Sequence, residues 1–114
     1  MNNQLNLPIN IATVSQASGT IAATGTFQAL FSPNAARVGG MIQNNGAAVM
    51  YIYPGTTAAA QAAGTAAGLQ IAASGGTRDL SFGAPNGVYN GQVVIAGTGT
   101  QVFVAIECSG ESSP

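Results

Sequence analysis

The stretch that decides the fold is RVGGMIQNNGAAVMYIYPG, residues 37–55. Before the dipeptide Asn45-Gly46, Val38 and Ile42 would face one way; after it, Val49, Tyr51 and Tyr53 would face opposite to Met50 and Ile52, and this second run ends at Pro54-Gly55. Alternation with a period of two is typical of a β-strand that buries one face. Because Asn and Gly both accept the positive φ of a type I′ turn, the stretch predicts a β-hairpin over residues 37–53.

The rest of the chain repeats this pattern of short apolar runs between Gly, Pro and Asn turns. Further strands are predicted at 27–31, 69–71, 80–82, 93–95 and 102–106, and Gly97-Thr98-Gly99 is predicted to close a compact hairpin. No convincing helical crossover separates the runs, so the sheets should be antiparallel. Such spacing predicts an all-β fold, a single antiparallel β-sandwich or jelly-roll-like barrel of seven to eight short strands.

The alanine-rich segment 56–68 is the one ambiguous region. Alanine is the best helix former, but Gly64 and Gly68 interrupt the run and no large apolar stripe would anchor a helix on a core. We therefore expect a long surface loop with room for one helical turn.

The N-terminal segment predicts an extended arm or an edge strand. Leu5, Leu7, Ile9 and Ile11 alternate with polar residues, and Pro8 has no N–H for a central ladder position. These four apolar residues are the candidate partner-binding set, since an exposed strand can add to the sheet of a neighbour. The expected organisation is an arm or edge strand with a flexible linker (1–19), a β-sandwich domain (20–108) and a disordered tail (109–114).

Charge is very scarce in this chain. Charged residues are 4% of the total, against about 25% in an ordinary soluble domain. They are Arg37, Arg78, Asp79, Glu107 and Glu111. A surface without charge loses little hydration free energy when another subunit covers it, so we expect a homo-oligomer that binds other proteins.

The same scarcity argues against nucleic acid and membrane partners. Two arginines and no lysine cannot neutralise a phosphate backbone, and no apolar run reaches the roughly 20 residues of a spanning helix. The first residues lack a positive region, so no secretory signal is expected. Cys108 is the only cysteine, which excludes an intrachain disulfide and suits assembly in a reducing cytoplasm.

The chain also lacks the side chains that most enzymes use, and we expect no catalytic residue, cofactor or metal site. It has no histidine, one thiol and three scattered acids. Cys108 would need a neighbouring cation or helix N-terminus to become reactive. Arg37 and Glu107 are candidates for a structural ion pair, because each lies at the end of a strong strand; solvation, or contact with a neighbouring subunit, is the alternative.

The region 37–107 resembles a domain that recurs in the virion proteins of tailed bacteriophages. The matching features are Arg37 at the start of a strand, IQNNG (42–46), MYIYPG (50–55), GLQI (68–71), Gly75-Gly76, GVY (87–89) and VFVAIE (102–107). The chain departs from the pattern at Gly39-Gly40, where bulkier residues are common. The resemblance implies a small β-rich structural protein that decorates capsids, joins head to tail or forms a fibre base.

The leading hypothesis is therefore a capsid decoration (cement) protein of a virion, assembled in the host cytoplasm. It would bind the major capsid protein or other virion proteins, with a trimer as the favoured oligomer. A neck, collar or fibre-base protein is the alternative within the virion. A carbohydrate- or surface-binding β-module, with Tyr51, Tyr53 and Tyr89 as an aromatic platform, is the alternative from another class.

Overall fold

A computed structural model describes residues 11–81 and 87–110, and within them the chain forms nine β-strands and one α-helix. The strands are β1 (Ile11–Gln16), β2 (Gly19–Thr20), β3 (Gln28–Phe31), β4 (Arg37–Asn44), β5 (Met50–Pro54), β6 (Leu69–Ile71), β7 (Gly76–Asp79), β8 (Val93–Ala96) and β9 (Val102–Gly110). Helix α1 spans Thr57–Ala63, and a 3₁₀ helix follows at Thr65–Ala67. The predicted all-β class is confirmed, with nine strands in place of seven to eight.

The strands form two sheets in which every neighbouring pair is antiparallel, as predicted. The larger sheet has the order β1-β9-β4-β7, with β2 also on β9; the smaller has the order β3-β8-β5-β6. Apolar side chains from both sheets meet in one core. The fully buried members include Ile21, Ile42, Met50, Ile52, Ile71, Leu80, Val93, Ile95 and Ala105.

The predicted hairpin over 37–53 is wrong, because β4 and β5 lie in different sheets. Strand β4 pairs with β7 and β9, whereas β5 pairs with β6 and β8. The buried Asn44 side chain directs this crossing: its Nδ2 donates to the carbonyls of Ala48 (2.8 Å) and Ile71 (3.0 Å), and its Oδ1 accepts from Gly46 N (2.8 Å). Neither Asn45 nor Gly46 has a positive φ, so the local type I′ signal is overridden.

The predicted hairpin at Gly97-Thr98-Gly99 is also wrong. The loop joins β8 in the smaller sheet to β9 in the larger one. Its backbone is held by the segment before β3, since Gly25 N donates to Gly97 O (3.0 Å) and Gly99 N donates to Thr24 Oγ1 (2.9 Å). Both strong hairpin signals in the sequence therefore mark crossings between the sheets.

The alanine-rich segment forms the seven-residue helix α1, where we predicted a long surface loop with room for one helical turn. Thr56 caps its N-terminus by accepting from Ala59 N (3.1 Å), and Gly64 ends it with a φ of 89°. Ala60 is fully buried, and Gln61 Oε1 accepts from Phe27 N (2.9 Å). Gln61 Nε2 also donates to Gly25 O (3.3 Å), so a small buried residue and two hydrogen bonds anchor the helix without a large apolar stripe. Within the described residues, no helix has the length and apolarity to cross a membrane.

Two further predictions are corrected at the strand ends. The strand predicted at Leu80 lies earlier, as β7 (Gly76–Asp79). Leu80 follows its end, with its N donating to Gly40 O of β4 (3.2 Å) and its side chain buried in the core. Strand β9 continues to Gly110, into the segment predicted as tail, since both neighbours β1 and β4 extend alongside it. Phe82 and residues 111–114 fall outside the described residues.

Strand β1 forms an edge of the larger sheet, where it pairs with β9. Of the proposed arm residues, Ile11 begins this strand, and Leu5, Leu7 and Ile9 lie outside the described residues. From residue 11 on, the chain therefore belongs to the larger sheet.

Candidate interaction surface

Arg37 and Glu107 lie together in the structure and form an ion pair. The Arg37 side chain has no exposed area, that of Glu107 is 17% exposed, and Arg37 Nε donates to Glu107 Oε2 at 2.7 Å. The other guanidinium nitrogens donate to three backbone carbonyls, those of Tyr89 (2.6 Å), Gly91 (2.9 Å) and Ser32 (2.7 Å). The fork geometry of arginine suits such a convergence of acceptors.

The hydrogen bonds of the buried Arg37 side chain join segments of the chain to one another, and little of its guanidinium group is free to bind a ligand. Its guanidinium carbon lies 5.4 Å from the centre of the Phe31 ring, which covers one face of the group. Asn90 Nδ2 donates to the carbonyls of Asn34 (2.9 Å) and Arg37 (3.1 Å), closing the network. The pair fastens the segment before β8 to strands β4 and β9.

The remaining titratable groups form no reactive cluster in the part of the chain that the structure describes. Residues 11–81 and 87–110 contain no group of three or more His, Cys, Asp or Glu that could hold a metal. Cys108 is a free, half-buried thiol on β9. Arg78 donates to the Gln70 carbonyl at 3.1 and 3.3 Å.

The outer face of the larger sheet carries an apolar ridge, and this is the surface that sequence reasoning missed. Side chains alternate along β9, and Phe103 and Ala105 point into the core. The intervening residues therefore point outward. They are Val102, Val104, Ile106 and Cys108.

Neighbouring strands widen this ridge. Directly paired residues in an antiparallel sheet share a face. Met41 of β4 pairs with Ile106, and Val14 of β1 pairs with Cys108. We call the six residues Val14, Met41, Val102, Val104, Ile106 and Cys108 the apolar ridge.

The apolar ridge is open to solvent at its margins. Val14 is 60% exposed, Val102 46% and Met41 43%, and these are the exposed large hydrophobic residues among those the structure describes. Gln16 and Gln43 flank the ridge, opposite Ile106 and Val104 respectively. Apolar patches with a polar rim on soluble proteins commonly mark interaction sites.

On the smaller sheet, the apolar outer face is covered by other parts of the same chain. Val94 and Ala96 of β8 point to its outer side, yet both are fully buried. They pack in a second cluster with Phe27 and with Ala60 of α1. No described residue gives the apolar ridge a comparable cover, since Val14, Met41 and Val102 stay exposed.

Charge on the outer face of the larger sheet is confined to one edge. Asp79 of β7 pairs with Met41 and so shares the outer face. Arg78, one residue earlier, points to the opposite side, as adjacent residues in a strand must. Arg37 and Glu107 also point inward, so among the described residues the face holds one carboxylate and no cation.

A second feature is a cleft of about 320 Å³ on another part of the surface. It is lined by Thr24, Gly25, Ala48, Val49, Tyr51, Thr65, Gly97 and Thr98. Three threonine hydroxyls and one tyrosine ring provide neutral hydrogen-bonding groups around an aromatic surface. Of the predicted aromatic platform, Tyr51 lies in this cleft, Tyr53 packs edge-on with Phe27 at 6.2 Å between ring centres, and Tyr89 supplies a carbonyl to Arg37.

Comparison of the chain with protein-family models, with curated proteins and with solved structures gave no match.

Proposed function

We propose that the protein is a structural component of a tailed-phage virion, a decoration protein that binds the head surface as a homo-oligomer and stabilises it. The observation that carries the proposal is the apolar ridge on a chain with 4% charged residues. A protein of this kind gains free energy mainly by being covered by other protein. The motifs between Arg37 and Glu107 supply the link to phage virions.

The free energy that decoration contributes is modest for each copy and large for the whole particle, because the contact is repeated. Burial of apolar area contributes about 25 cal/mol per Å², so a contact that covers about 400 Å² of apolar surface contributes about 10 kcal/mol before the cost of association. Repetition over many equivalent sites multiplies the net gain. Near-absence of charge lowers the desolvation cost of each contact.

The N-terminal residues Leu5, Leu7, Ile9 and Ile11 are proposed as the segment that reaches the capsid partner. Strand β1 is at the edge of its sheet, so the chain enters the domain from the periphery. An alternating segment that leads to a sheet edge is well placed for strand addition to a neighbouring protein. This role assigns the apolar ridge and the arm to two different contacts.

The proposal is tested by counting copies of the protein in purified virions of the phage that encodes it. Quantitative mass spectrometry against the major capsid protein should give hundreds of copies per particle. A handful of copies would identify a neck, collar or fibre-base protein, which is the alternative within the virion. Absence from the particle would overturn both.

The cleft around Tyr51 favours one candidate from another class, a module that binds a neutral carbohydrate. Aromatic rings stack on sugar faces, and the hydroxyls of Thr24, Thr65 and Thr98 would serve as donors and acceptors. A glycan array that identifies a neutral ligand, with binding lost in Tyr51→Ala and kept in Tyr89→Phe, would favour this function over decoration.

A further inference from the structure

We infer that the outer face of the larger sheet is the contact between two copies of this chain, which pack their sheets face to face. The inference rests on the homo-oligomer part of the proposed function and deepens it by naming the surface and its occupant. It concerns the purified chain alone, so it can fail while the virion assignment stands.

The outer faces of the two sheets are unequally covered. Both carry apolar side chains on their outer faces, but α1 and Phe27 cover those of the smaller sheet. On the larger sheet, Val14, Met41 and Val102 retain 43–60% of their accessible area. In a sandwich, an apolar sheet face is normally covered by a second layer about 10 Å away. A second copy of the same sheet supplies such a layer.

The charge of the face is compatible with a second copy of the same chain. Asp79 at the β7 edge is its one charged residue among those described. Such a face offers a charged partner almost nothing to complement, and it does not repel its own copy. Two copies can meet without a buried charge or a repelling pair near the centre, because the carboxylates stay at the rim.

The size of the face sets how strong a contact between two copies can be. Strand β9 from Val102 to Cys108 covers about 20 Å at about 3.4 Å per residue, and four strands about 4.8 Å apart give about 19 Å of width. Each copy thus presents about 400 Å² in projection. The total of about 800 Å² is below the roughly 1,200–2,000 Å² of a stable complex, so the expected dimer is weak and reversible.

Symmetry distinguishes this contact from the trimer that sequence reasoning favours. A surface that packs on its own copy relates two chains by a two-fold axis and closes as a dimer. A trimer needs two different patches on each chain. The apolar ridge therefore predicts dimers, or even-numbered assemblies built from them.

The test is sedimentation velocity of the purified full chain over a dilution series, with Met41→Glu as the disrupting variant. Met41 is 43% exposed in one copy, so a carboxylate there leaves the fold intact but would be buried in the dimer. Ala62→Glu adds the same charge to an exposed position on α1, which packs on the smaller sheet. We expect Met41→Glu to weaken dimerisation at least about 100-fold and Ala62→Glu to change it less than about twofold.

A second variant keeps the test independent of one substitution. Val102→Glu, at the other end of the ridge, should disrupt the dimer as Met41→Glu does. Circular dichroism and the urea midpoint of each variant verify that it is folded.

Three results would overturn the inference: a wild-type chain that stays monomeric up to millimolar concentration, a trimer, or a dimer that tolerates both Met41→Glu and Val102→Glu. A monomer that still decorates capsids would refute the sheet contact alone. A dimer with the expected variants that is absent from virions would refute the decoration role alone.

Discussion

Replacement of Arg37 by alanine should be the most damaging single change outside the apolar core. The side chain has no exposed area and donates four hydrogen bonds, one to Glu107 and three to backbone carbonyls. Its removal leaves the Glu107 carboxylate largely buried without a cation. It also removes the cation from the face of Phe31.

The size of the effect follows from the burial of the pair. Removing one partner of a buried ion pair costs about 3–5 kcal/mol, because the remaining charge is uncompensated. The three carbonyls belong to loop segments that water can reach once the side chain is gone, so they add little. We therefore expect Arg37→Ala to lower the free energy of unfolding by about 4 kcal/mol. With an m-value of about 1.5 kcal/mol/M, the urea midpoint falls by about 2.5–3 M.

The assay is equilibrium urea denaturation followed by circular dichroism at one fixed protein concentration. Arg78→Ala is the matched control, since it removes the same charge from a side chain that donates to one carbonyl on the surface. It should cost less than about 1 kcal/mol. Arg37→Lys should lie between, at about 2 kcal/mol, because an ammonium cannot reach all the acceptors. Equal urea midpoints for Arg37→Ala and Arg78→Ala would refute the claim that the buried Arg37 hydrogen bonds stabilise the fold.

Other predictions concern the loops and the helix. Asn44→Ala should cost about 2–4 kcal/mol and speed amide exchange at Gly46, because a buried amide that makes three hydrogen bonds is lost; unchanged exchange would contradict its role in the crossing. Gly40→Ala should lower the Tm by about 5–10 °C in a thermal melt, since a Cβ there would lie 2.5 Å from Leu80 Cδ1 and 2.9 Å from the next strand's backbone. A neutral effect would show that β4 can shift. Thr56→Ala should cost about 1 kcal/mol in urea through the lost helix cap, while the dimer constant stays at the wild-type value. A large change in that constant would place α1 in the interface.

The class of the fold was predictable because it depends on short local runs between turn residues. Val102 to Ile106 and Met50 to Tyr53 are apolar runs of strand length, rich in β-branched and aromatic residues, whatever their partners. The connections were not predictable in the same way. Asn45-Gly46 is a strong hairpin signal, but the preceding Asn44 bonds to Ile71, 27 residues away, and the chain crosses to the other sheet.

Helix α1 illustrates the same limit. Its sequence favours a helix but offers no large side chain to bury, and its stability depends on a pocket for Ala60 formed by Phe27 and β8. A contact of that kind has no signature within residues 57–63 themselves. In the structure, Thr56 caps the helix and Gly64 ends it, so both boundaries have local causes although the burial of Ala60 does not.

The interaction surface was the least predictable part, although one signal was present. Strand β9 is apolar on both faces, with Phe103 and Ala105 on one side and Val104 and Ile106 on the other. Alternation alone cannot say which side faces the core. A strand with two apolar faces buries both only if something packs on each side. In the described part of the chain, the smaller sheet packs on the inner face of β9, and the outer face stays partly exposed.

The most direct test of an assembly role is the mass of the protein in dilute solution, measured with and without purified capsids that lack it. The account predicts a concentration-dependent mass above the 11.2 kDa of one chain, and recovery of the protein with the capsids when the mixture is sedimented. A chain that remains a stable monomer at every concentration and stays in the supernatant with every particle offered would contradict it.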